Sequence, residues 1–190
     1  FFARVLRFFW RQVISLFVGL VLSIPYFHFI RNTRDYQSPN TLRYWFFQKV
    51  LGVNGSAPWP VHYASKVTNP GNISVGIDAN PGYEPGCYIQ GVGTIVVGDY
   101  TQVAQNVGII SGNHDVYDLR SPVPSSVRIG AFCWLGMNSV VLPGVVLGDF
   151  TIVGAGAVVT KSFSDGHCVI GGNPAKYIRL LDRNRCVRYS

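Results

Sequence analysis

The chain has 190 residues and a formal net charge of +7 at pH 7, with 48% hydrophobic and 13% charged residues. That length suits one domain with appendages, and the composition excludes a disordered chain. The positive charge is spread along the sequence with no basic stripe interleaved with aromatic residues in the repeat region, so nucleic acid is not expected as the partner.

The first segment, residues 1–57, is predicted to be helical and associated with a membrane. Arg4, Arg7 and Arg11 fall on one face of a helix, and aromatic and aliphatic residues crowd the other positions. This pattern is typical of a basic amphipathic helix at a membrane surface. The three cations and the apolar residues around them therefore predict contact with anionic lipid.

An apolar run follows at residues 13–30, where no side chain carries a formal charge. A spanning helix needs about 20 apolar residues, so the run is slightly short, and Pro25 is expected to kink or end the helix. Cations flank the run on both sides, which favours a segment that dips into the membrane over either spanning direction. We therefore predict membrane contact through residues 1–35, with a helical hairpin packed on a soluble domain as the alternative. A second helix is predicted over residues 40–51.

The next stretch is less regular. Residues 52–60 have the composition of a linker and turn, and a first strand is predicted within residues 61–67. Residues 69–87 are expected to form irregular coils because they are rich in Gly and Pro. The four cysteines form no C-x-x-C motif and are predicted to be reduced thiols, which suits a reducing compartment.

A six-residue repeat runs from Ile129 to Val159 as IGAFCW, LGMNSV, VLPGVV, LGDFTI and VGAGAV. Each block begins with a branched aliphatic residue, four of the five have Gly second, and the fifth residue is small or β-branched. The same phase recurs upstream at Val97, Val103 and Ile109. A short fixed period predicts a parallel β-helix with the first and fifth residues pointing inward. Gly is expected to form the corner because it tolerates backbone angles that other residues avoid.

The repeat is interrupted at residues 111–128, which contain His114, and then resumes in phase. Insertions between repeats map to loops on one face of such folds, often the binding face. The interruption therefore predicts a functional loop that carries a histidine.

The blocks, the loop sequence Asn113-His114-Asp115 and the closing GGNPAKYIR at residues 171–179 resemble the hexapeptide-repeat acyltransferases, and more narrowly their sugar O-acetyltransferases. The resemblance covers roughly residues 58–180. It implies a mainly β fold, a left-handed parallel β-helix, and assembly as a homotrimer.

The resemblance also divides the chain into three parts. The N-terminal helical segment is residues 1–57, and the β-helix domain is residues 58–172 with its catalytic loop at 111–128. The tail, residues 173–190, is expected to form a short C-terminal helix.

By the resemblance, His114 is the general base that takes the proton of the acceptor. Histidine suits this role because its ordinary pKa lies near neutrality, and a thioester donor needs no protein nucleophile. The ring requires a partner on its other nitrogen, and Asp115, Asp118, Glu84 or a backbone carbonyl can supply it. Gln90 is the nearest match to an amide side chain that contacts the acceptor in relatives, and Asn113 is the other amide nearby.

The implied donor is acetyl-CoA, lying along the β-helix between neighbouring subunits, and no metal is expected. The resemblance assigns nine residues to this path: Trp134, Gly136, Gly154, Ala155, Thr160, Lys161, Pro174, Lys176 and Arg179. Lys and Arg near the nucleotide end are expected to pair with phosphates. Met137 departs from the family pattern, in which a small polar residue is frequent, so a polar contact at that position is not expected.

The expected function is acetyl-CoA-dependent O-acetylation of a sugar hydroxyl on a cell-surface glycan or its lipid-linked precursor, at the cytoplasmic side of a bacterial inner membrane. One alternative is N-acetylation of an amino sugar. Another is a non-enzymatic, membrane-bound β-solenoid scaffold. A zinc enzyme on the same fold would need three histidine ligands, and only one of the four histidines lies in a suitable loop.

Overall fold

The structure, a computed structural model, describes residues 2–189. Phe1 and Ser190, which belong to the predicted membrane segment and tail, lie outside the described residues. One long helix, α1 (Phe2–Ser23), joins the predicted amphipathic and apolar stretches. It ends before Pro25, as predicted. By length and composition, residues 4–23 are sufficient to cross a bilayer, and none of this stretch is buried in the protein.

The end of α1 is fixed by the segment that follows it. A 3-10 helix (Pro25–Phe27) leads into α2 (His28–Asn32). The Arg31 guanidinium donates hydrogen bonds to the carbonyl oxygens of Leu22 and Ile24, so a cation satisfies carbonyls that the helix end would leave without partners.

The predicted second helix is present as α3 (Leu42–Trp45), which continues into a π-helix (Phe46–Val50). Thr41 caps α3, since its side chain accepts a hydrogen bond from the backbone nitrogen of Tyr44 at 3.3 Å.

The remaining chain forms three parallel sheets and one hairpin, and the prediction of a mainly β chain with parallel pairing is confirmed. Sheet A contains β1 (Lys66–Thr68), β3 (Tyr88–Gln90), β6 (Gly108–Ile110), β11 (Val140–Val141) and β14 (Val158–Val159). Sheet B contains β2 (Ile73–Val75), β4 (Ile95–Val97), β9 (Val127–Ile129) and β12 (Val146–Leu147). Sheet C contains β5 (Gln102–Val103), β10 (Trp134–Leu135), β13 (Thr151–Val153), β15 (Cys168–Gly171) and the antiparallel β16 (Lys176–Leu180). The hairpin consists of β7 (Gly112–His114) and β8 (Pro122–Pro124).

The chain visits sheets A, B and C in a repeating order, and we call each circuit a coil. In the uninterrupted repeat, paired residues in neighbouring coils are 18 positions apart, as in Val141 and Val159 or Leu135 and Val153. The first residue of every block is buried, and so is the fifth. Three six-residue blocks therefore complete one coil, and their aliphatic side chains form the core between the sheets.

Glycine is required at the corners for a different reason from the one expected. None of the second-position glycines has a positive φ. Instead, a Cβ atom on Gly136 would lie 2.7 Å from the backbone nitrogen of Ala155 in the next coil. Glycine is needed here because neighbouring coils approach closely, and the expectation based on backbone angles was wrong.

The left-handed backbone conformation falls on the fourth residue of the blocks. At the corner between sheets B and C this residue is aromatic in three successive coils, Tyr100, Phe132 and Phe150, each with φ of 56°. Their rings stack, with centroids 5.2 Å apart for the first pair and 4.9 Å for the second. His167 extends the stack, 5.0 Å from Phe150. Packing between rings offsets the unfavourable backbone conformation.

Residues 69–87 depart from the 18-residue spacing, as expected for irregular early coils, since Ile73 pairs with Ile95, 22 positions away. They nevertheless contain one strand, β2, whose Ile73 is buried. The expectation of a short C-terminal helix was wrong. The tail forms the strand β16 against β15, and its described helical part is only a 3-10 turn, Arg183–Arg185. The first strand starts at Lys66, at the end of the stretch predicted for it.

Beyond this turn the tail returns along the stacked rings. Arg188 forms an ion pair with Asp149 at 3.1 Å and lies over the rings of Phe132 and Phe150, at 5.6 and 5.3 Å. The Tyr189 hydroxyl accepts a hydrogen bond from Gln37 at 3.0 Å. The tail therefore connects the last coils to the segment that follows α2.

Candidate functional site

The interruption of the repeat is a loop that leaves sheet A after β6 and returns at β9 in sheet B. Ser111 fixes its base. Its hydroxyl donates to the Gln90 carbonyl at 2.6 Å and accepts from the Gly93 nitrogen at 3.0 Å. Its own carbonyl accepts from the nitrogen of Ser125 at 2.8 Å. The two ends of the loop are thus held together, and β7 and β8 project from the coils as an antiparallel pair.

The tip of the loop is shaped by its own carboxylates. Asp115 accepts hydrogen bonds from the backbone nitrogens of Tyr117 and Asp118, at 2.7 and 3.2 Å. Asp118 forms an ion pair with Arg120 at 2.9 Å, and this hydrogen-bonded contact lowers the pKa of the Asp118 carboxyl. Both carboxylates are therefore engaged in holding the turn.

His114 is the last residue of β7 and is exposed. Its backbone pairs with Pro122. Within residues 2–189 its ring makes no hydrogen bond, so none of Asp115, Asp118 and Glu84 is hydrogen-bonded to it. Asn113, beside it, is also exposed. The loop presents both side chains to solvent.

Gln90 lies directly beneath the loop. It ends β3 and pairs with Ile110 on one side and Thr68 on the other. Its side-chain oxygen is buried without a hydrogen-bond partner, as is the hydroxyl of Thr68 on the next strand. Two polar atoms close to the base of the loop are therefore not satisfied by residues 2–189, a condition that is uncommon in folded proteins.

Glu84 lies elsewhere, at the corner where sheet C leads into sheet A. There it shares a shallow cleft of about 370 Å³ with Trp134 and Met137. The cleft is further lined by three amide side chains that sequence reasoning did not single out, Asn80, Gln102 and Gln105. Gln102 lies on β5 and Gln105 at the corner that follows it. The position of these two residues relative to the block head Val103 was the available signal, and Asn80 lies outside the clean repeats. No loop residue lines this cleft.

Gly136 and Gly154 occupy this same corner in successive coils, next to Trp134. The Gly136 nitrogen donates to the Val153 carbonyl at 2.8 Å, and the Gly156 nitrogen donates to the Met137 carbonyl at 2.8 Å. Ala155, between Gly154 and Gly156 in the sequence, is exposed. These residues give a corner whose side chains are small and whose backbone is accessible.

The other predicted cofactor residues are dispersed. Thr160 and Lys161 follow β14, at the corner between sheets A and B, and the Lys161 ammonium lies 5.7 Å from the centroid of the Phe163 ring. Pro174 precedes β16 and follows a cis peptide bond. Lys176 and Arg179 are exposed on β16, paired with Gly171 and Val169.

Within one chain, the loop histidine and the corner glycines are not brought together. His114 follows the end of sheet A, whereas Gly136 and Gly154 precede its start, so a strand of sheet A separates them. The strands of sheet A are two or three residues long, which at about 3.3 Å per residue corresponds to roughly 7–10 Å of strand between the two corners. Across residues 2–189, no group of three or more His, Cys, Asp or Glu side chains is arranged to hold a metal ion.

A family model and the similar proteins of known sequence or structure point to the same family. The family model described as bacterial transferase hexapeptide (six repeats) matches residues 126–161. A protein of Escherichia coli (strain K12), provisionally named a colanic acid biosynthesis acetyltransferase, is 31% identical over 145 residues, which cover 75% of this chain and 78% of that protein.

Two solved structures are also similar. A maltose O-acetyltransferase from Clostridium difficile 630 is 32% identical, with a TM-score of 0.56 over 63% of this chain and 64% of that one. A galactoside acetyltransferase in complex with coenzyme A is 28% identical, with a TM-score of 0.59 over 70% of this chain and 66% of that one.

Proposed function

Because the chain belongs to the hexapeptide-repeat acyltransferases, we propose that it transfers the acetyl group of acetyl-CoA to a sugar hydroxyl of a cell-surface glycan or its lipid-linked precursor. The similarity to a maltose O-acetyltransferase supports a sugar acceptor and an oxygen nucleophile. The similarity to a galactoside acetyltransferase that holds coenzyme A supports the donor.

The observation that carries the proposal is the position of His114. It is exposed on a hairpin that interrupts the coils, and its ring nitrogens have no partner in residues 2–189. A nitrogen of the ring takes the proton of the acceptor hydroxyl as the oxygen attacks the thioester carbonyl. The carbon–sulfur bond then breaks, and the imidazolium returns the proton to the departing thiolate.

The neighbouring side chains receive distinct roles. Asp115 holds the turn of the loop by accepting hydrogen bonds from the backbone nitrogens of Tyr117 and Asp118. It thereby positions the neighbouring His114 relative to the coils. Gln90 offers an amide to the acceptor, supported by its buried oxygen without a partner. Asn113 is placed beside His114 to contact the sugar.

The donor path is proposed along the corner that holds Trp134, Gly136, Gly154 and Ala155. Gly136, Gly154 and Ala155 have small side chains or none, so the pantetheine arm can reach main-chain groups beside Trp134. Thr160, Lys161, Pro174, Lys176 and Arg179 extend the path toward the phosphates.

A homotrimer would complete the site. His114 and the corner glycines lie at opposite ends of sheet A in one chain, and a neighbouring copy could place its own corner, with its Glu84, against this loop. The coils are proposed to wind as a parallel β-helix, supported by the 18-residue register, and to wind in the left-handed sense, supported by the similarity to the family's solved structures.

Association with the cytoplasmic face of a bacterial inner membrane is proposed for residues 1–35. The exposed apolar side chains around α1, among them Phe9, Leu16 and Leu20, support it, since such a surface is unfavourable in water. Membrane association would keep the enzyme close to a lipid-linked acceptor.

The test is sugar-dependent release of coenzyme A thiol from acetyl-CoA, measured against a panel of neutral sugars, amino sugars and lipid-linked glycans. Release that depends on a hydroxyl sugar is expected. Release only with amino sugars would assign N-acetylation. If no acceptor causes release and coenzyme A produces no thermal shift, the protein is a scaffold and the proposal fails.

A further inference from the structure

A second apolar surface lies beside the end of α1, on the segment that contains α3 and the π-helix. The exposed fractions are 45% for Phe46, 54% for Val50, 53% for Leu51 and 43% for Tyr63. Together these four residues, with Arg43 and Lys49, are called the base surface. Four large hydrophobic side chains in one exposed cluster are not explained by packing within the chain.

The opposite side of the same segment is firmly attached to the coils. The buried Gln48 side chain donates to the Trp59 carbonyl at 3.0 Å and accepts from the Val61 nitrogen at 3.3 Å. The Tyr44 hydroxyl donates to the Tyr83 carbonyl at 2.9 Å. The segment is therefore fixed in orientation, and its apolar residues remain on the outside as a consequence.

The segment that carries the base surface packs against the 3-10 helix that follows α1, since the Trp45 and Phe27 ring centroids are 5.0 Å apart. Within the segment and the first coil, Phe47 stacks on Tyr63 at 4.5 Å, and the Arg43 guanidinium lies 5.3 Å from the centre of the Tyr63 ring. The first contact holds the base surface close to the end of α1, and the others hold its Arg43 and Tyr63 together.

The base surface itself is positively charged. Its six residues include two cations, Arg43 and Lys49, and no carboxylate. Two copies of such a face would repel each other, so self-association through it is disfavoured. Aromatic and aliphatic side chains bordered by Arg and Lys are the composition that binds at the boundary between lipid headgroups and acyl chains.

We propose that the base surface is a second membrane contact, distinct from α1, and that its occupant is the surface of an anionic phospholipid bilayer. Phe46, Val50 and Leu51 enter the interface, while Arg43 and Lys49 meet lipid phosphates. The first coil then lies against the bilayer, and the β-helix is held in one orientation instead of being attached to the membrane through α1 alone.

This contact fixes the height of the loop above the membrane. β1, β3 and β6 are successive strands of sheet A, and neighbouring strands are about 4.8 Å apart, so β6 lies roughly 10 Å above β1. His114 follows β6 by four residues. This step rests on the proposed function: an acceptor sugar would be met close to the headgroups, as expected for a glycan still attached to lipid.

The test measures the depth of two probes on the full chain, in vesicles of phosphatidylcholine with or without phosphatidylglycerol. The Cys186→Ser background leaves buried thiols at Cys87, Cys133 and Cys168. An environment-sensitive fluorophore is attached at Leu51→Cys, or at Leu180→Cys on the strand at the far edge of sheet C as the matched control. We expect lipid-borne quenchers to act severalfold more strongly at position 51 in anionic vesicles. Equal, weak quenching at both positions would overturn the proposal.

Charge variants measure the electrostatic contribution of the base surface to membrane docking. Neutralising Arg43 and Lys49 with Gln should lower the docked population about fivefold for each charge in anionic vesicles, whereas Arg183→Gln with Arg185→Gln should leave it unchanged. Equal effects of the two pairs would refute the phosphate contact. Burial of the position 51 probe without vesicles would identify a protein partner and also refute the proposal. Thiol release with a soluble sugar is measured in parallel, so loss of catalysis and loss of docking are distinguished.

Discussion

A Cβ atom on Gly130 would lie 2.5 Å from the backbone nitrogen of Asp149 in the next coil. The two coils are joined at this corner, where the Gly130 nitrogen donates to the Leu147 carbonyl at 2.8 Å. The Asp149 carboxylate also accepts from the Ala131 nitrogen at 2.9 Å. A methyl group at position 130 therefore requires the backbone of one coil to move away from the other.

Gly130→Ala is expected to destabilise the protein by about 1–3 kcal/mol, the usual range for a side chain forced into a packed region. The measurement is the midpoint of urea or thermal unfolding.

Two glycines serve as controls for this substitution. A Cβ atom at Gly71 would have no other atom within 4 Å, and Gly71 has no positive φ, so Gly71→Ala should be neutral or slightly stabilising. Gly156 has equal space but a φ of +70°, so Gly156→Ala should cost about 1 kcal/mol through backbone conformation alone. Equal effects at positions 130 and 71 would contradict the close-approach explanation.

Thr101→Val is expected to destabilise the protein by about 1–3 kcal/mol in unfolding experiments. The buried Thr101 hydroxyl donates to the Gly130 carbonyl at 2.7 Å and accepts from the Cys133 nitrogen at 3.1 Å, and Val leaves both groups without a partner. Ser139 occupies the same block position, but its buried hydroxyl has no partner in the described chain. Ser139→Ala should therefore be close to neutral, and a larger loss there than at Thr101 would refute this account.

His114→Ala should lower kcat about 10²- to 10⁴-fold, the range ascribed to a positioned general base. The readout is thiol release with the best acceptor sugar. The thermal shift produced by coenzyme A should persist, because the ring is needed for proton transfer and not for the donor path.

The matched control for that variant is His28→Ala, which removes an exposed histidine at the start of α2. It should retain full turnover. A His114→Ala enzyme with normal turnover would remove the general-base assignment, and one that no longer responds to coenzyme A would show that the loop is part of the donor site.

Thiol labelling at pH 8 should reach one cysteine in the folded protein and four after denaturation. Cys87, Cys133 and Cys168 are buried, and only Cys186 is half-buried. Burial raises the pKa of Cys133 to about 11 and also raises those of Cys87 and Cys168. A raised thiol pKa leaves little reactive thiolate at pH 8. Rapid labelling of more than one thiol would contradict the packed core.

The core was predictable because its signal is local and repeated. Block heads such as Leu135 and Val141 are buried as the period requires, since an inward position recurs at every sixth residue. The interrupting loop was visible for the same reason. Strand β2 and the tail strand β16 were not, because their pairing depends on partners distant in sequence, β4 and β15.

The histidine of the interrupting loop could be located from sequence, but its surroundings could not. Asp115 has the right spacing to orient His114, yet its carboxylate accepts hydrogen bonds from the turn. Gln102 lines the cleft beside Glu84 only because successive coils of the chain stack on one another. Such contacts depend on three-dimensional register, which residue type and spacing do not specify.

The hairpin insertion has a consequence for how such proteins can diversify. Ile109 pairs with Val141, 32 positions away instead of 18, while the next pair, Val141 and Val159, regains the usual spacing. Fourteen extra residues are thus accommodated, and the spacing of 18 is restored directly after them. Natural selection can lengthen, shorten or replace this loop while the scaffold keeps its stability, so acceptor preference is free to evolve separately from folding.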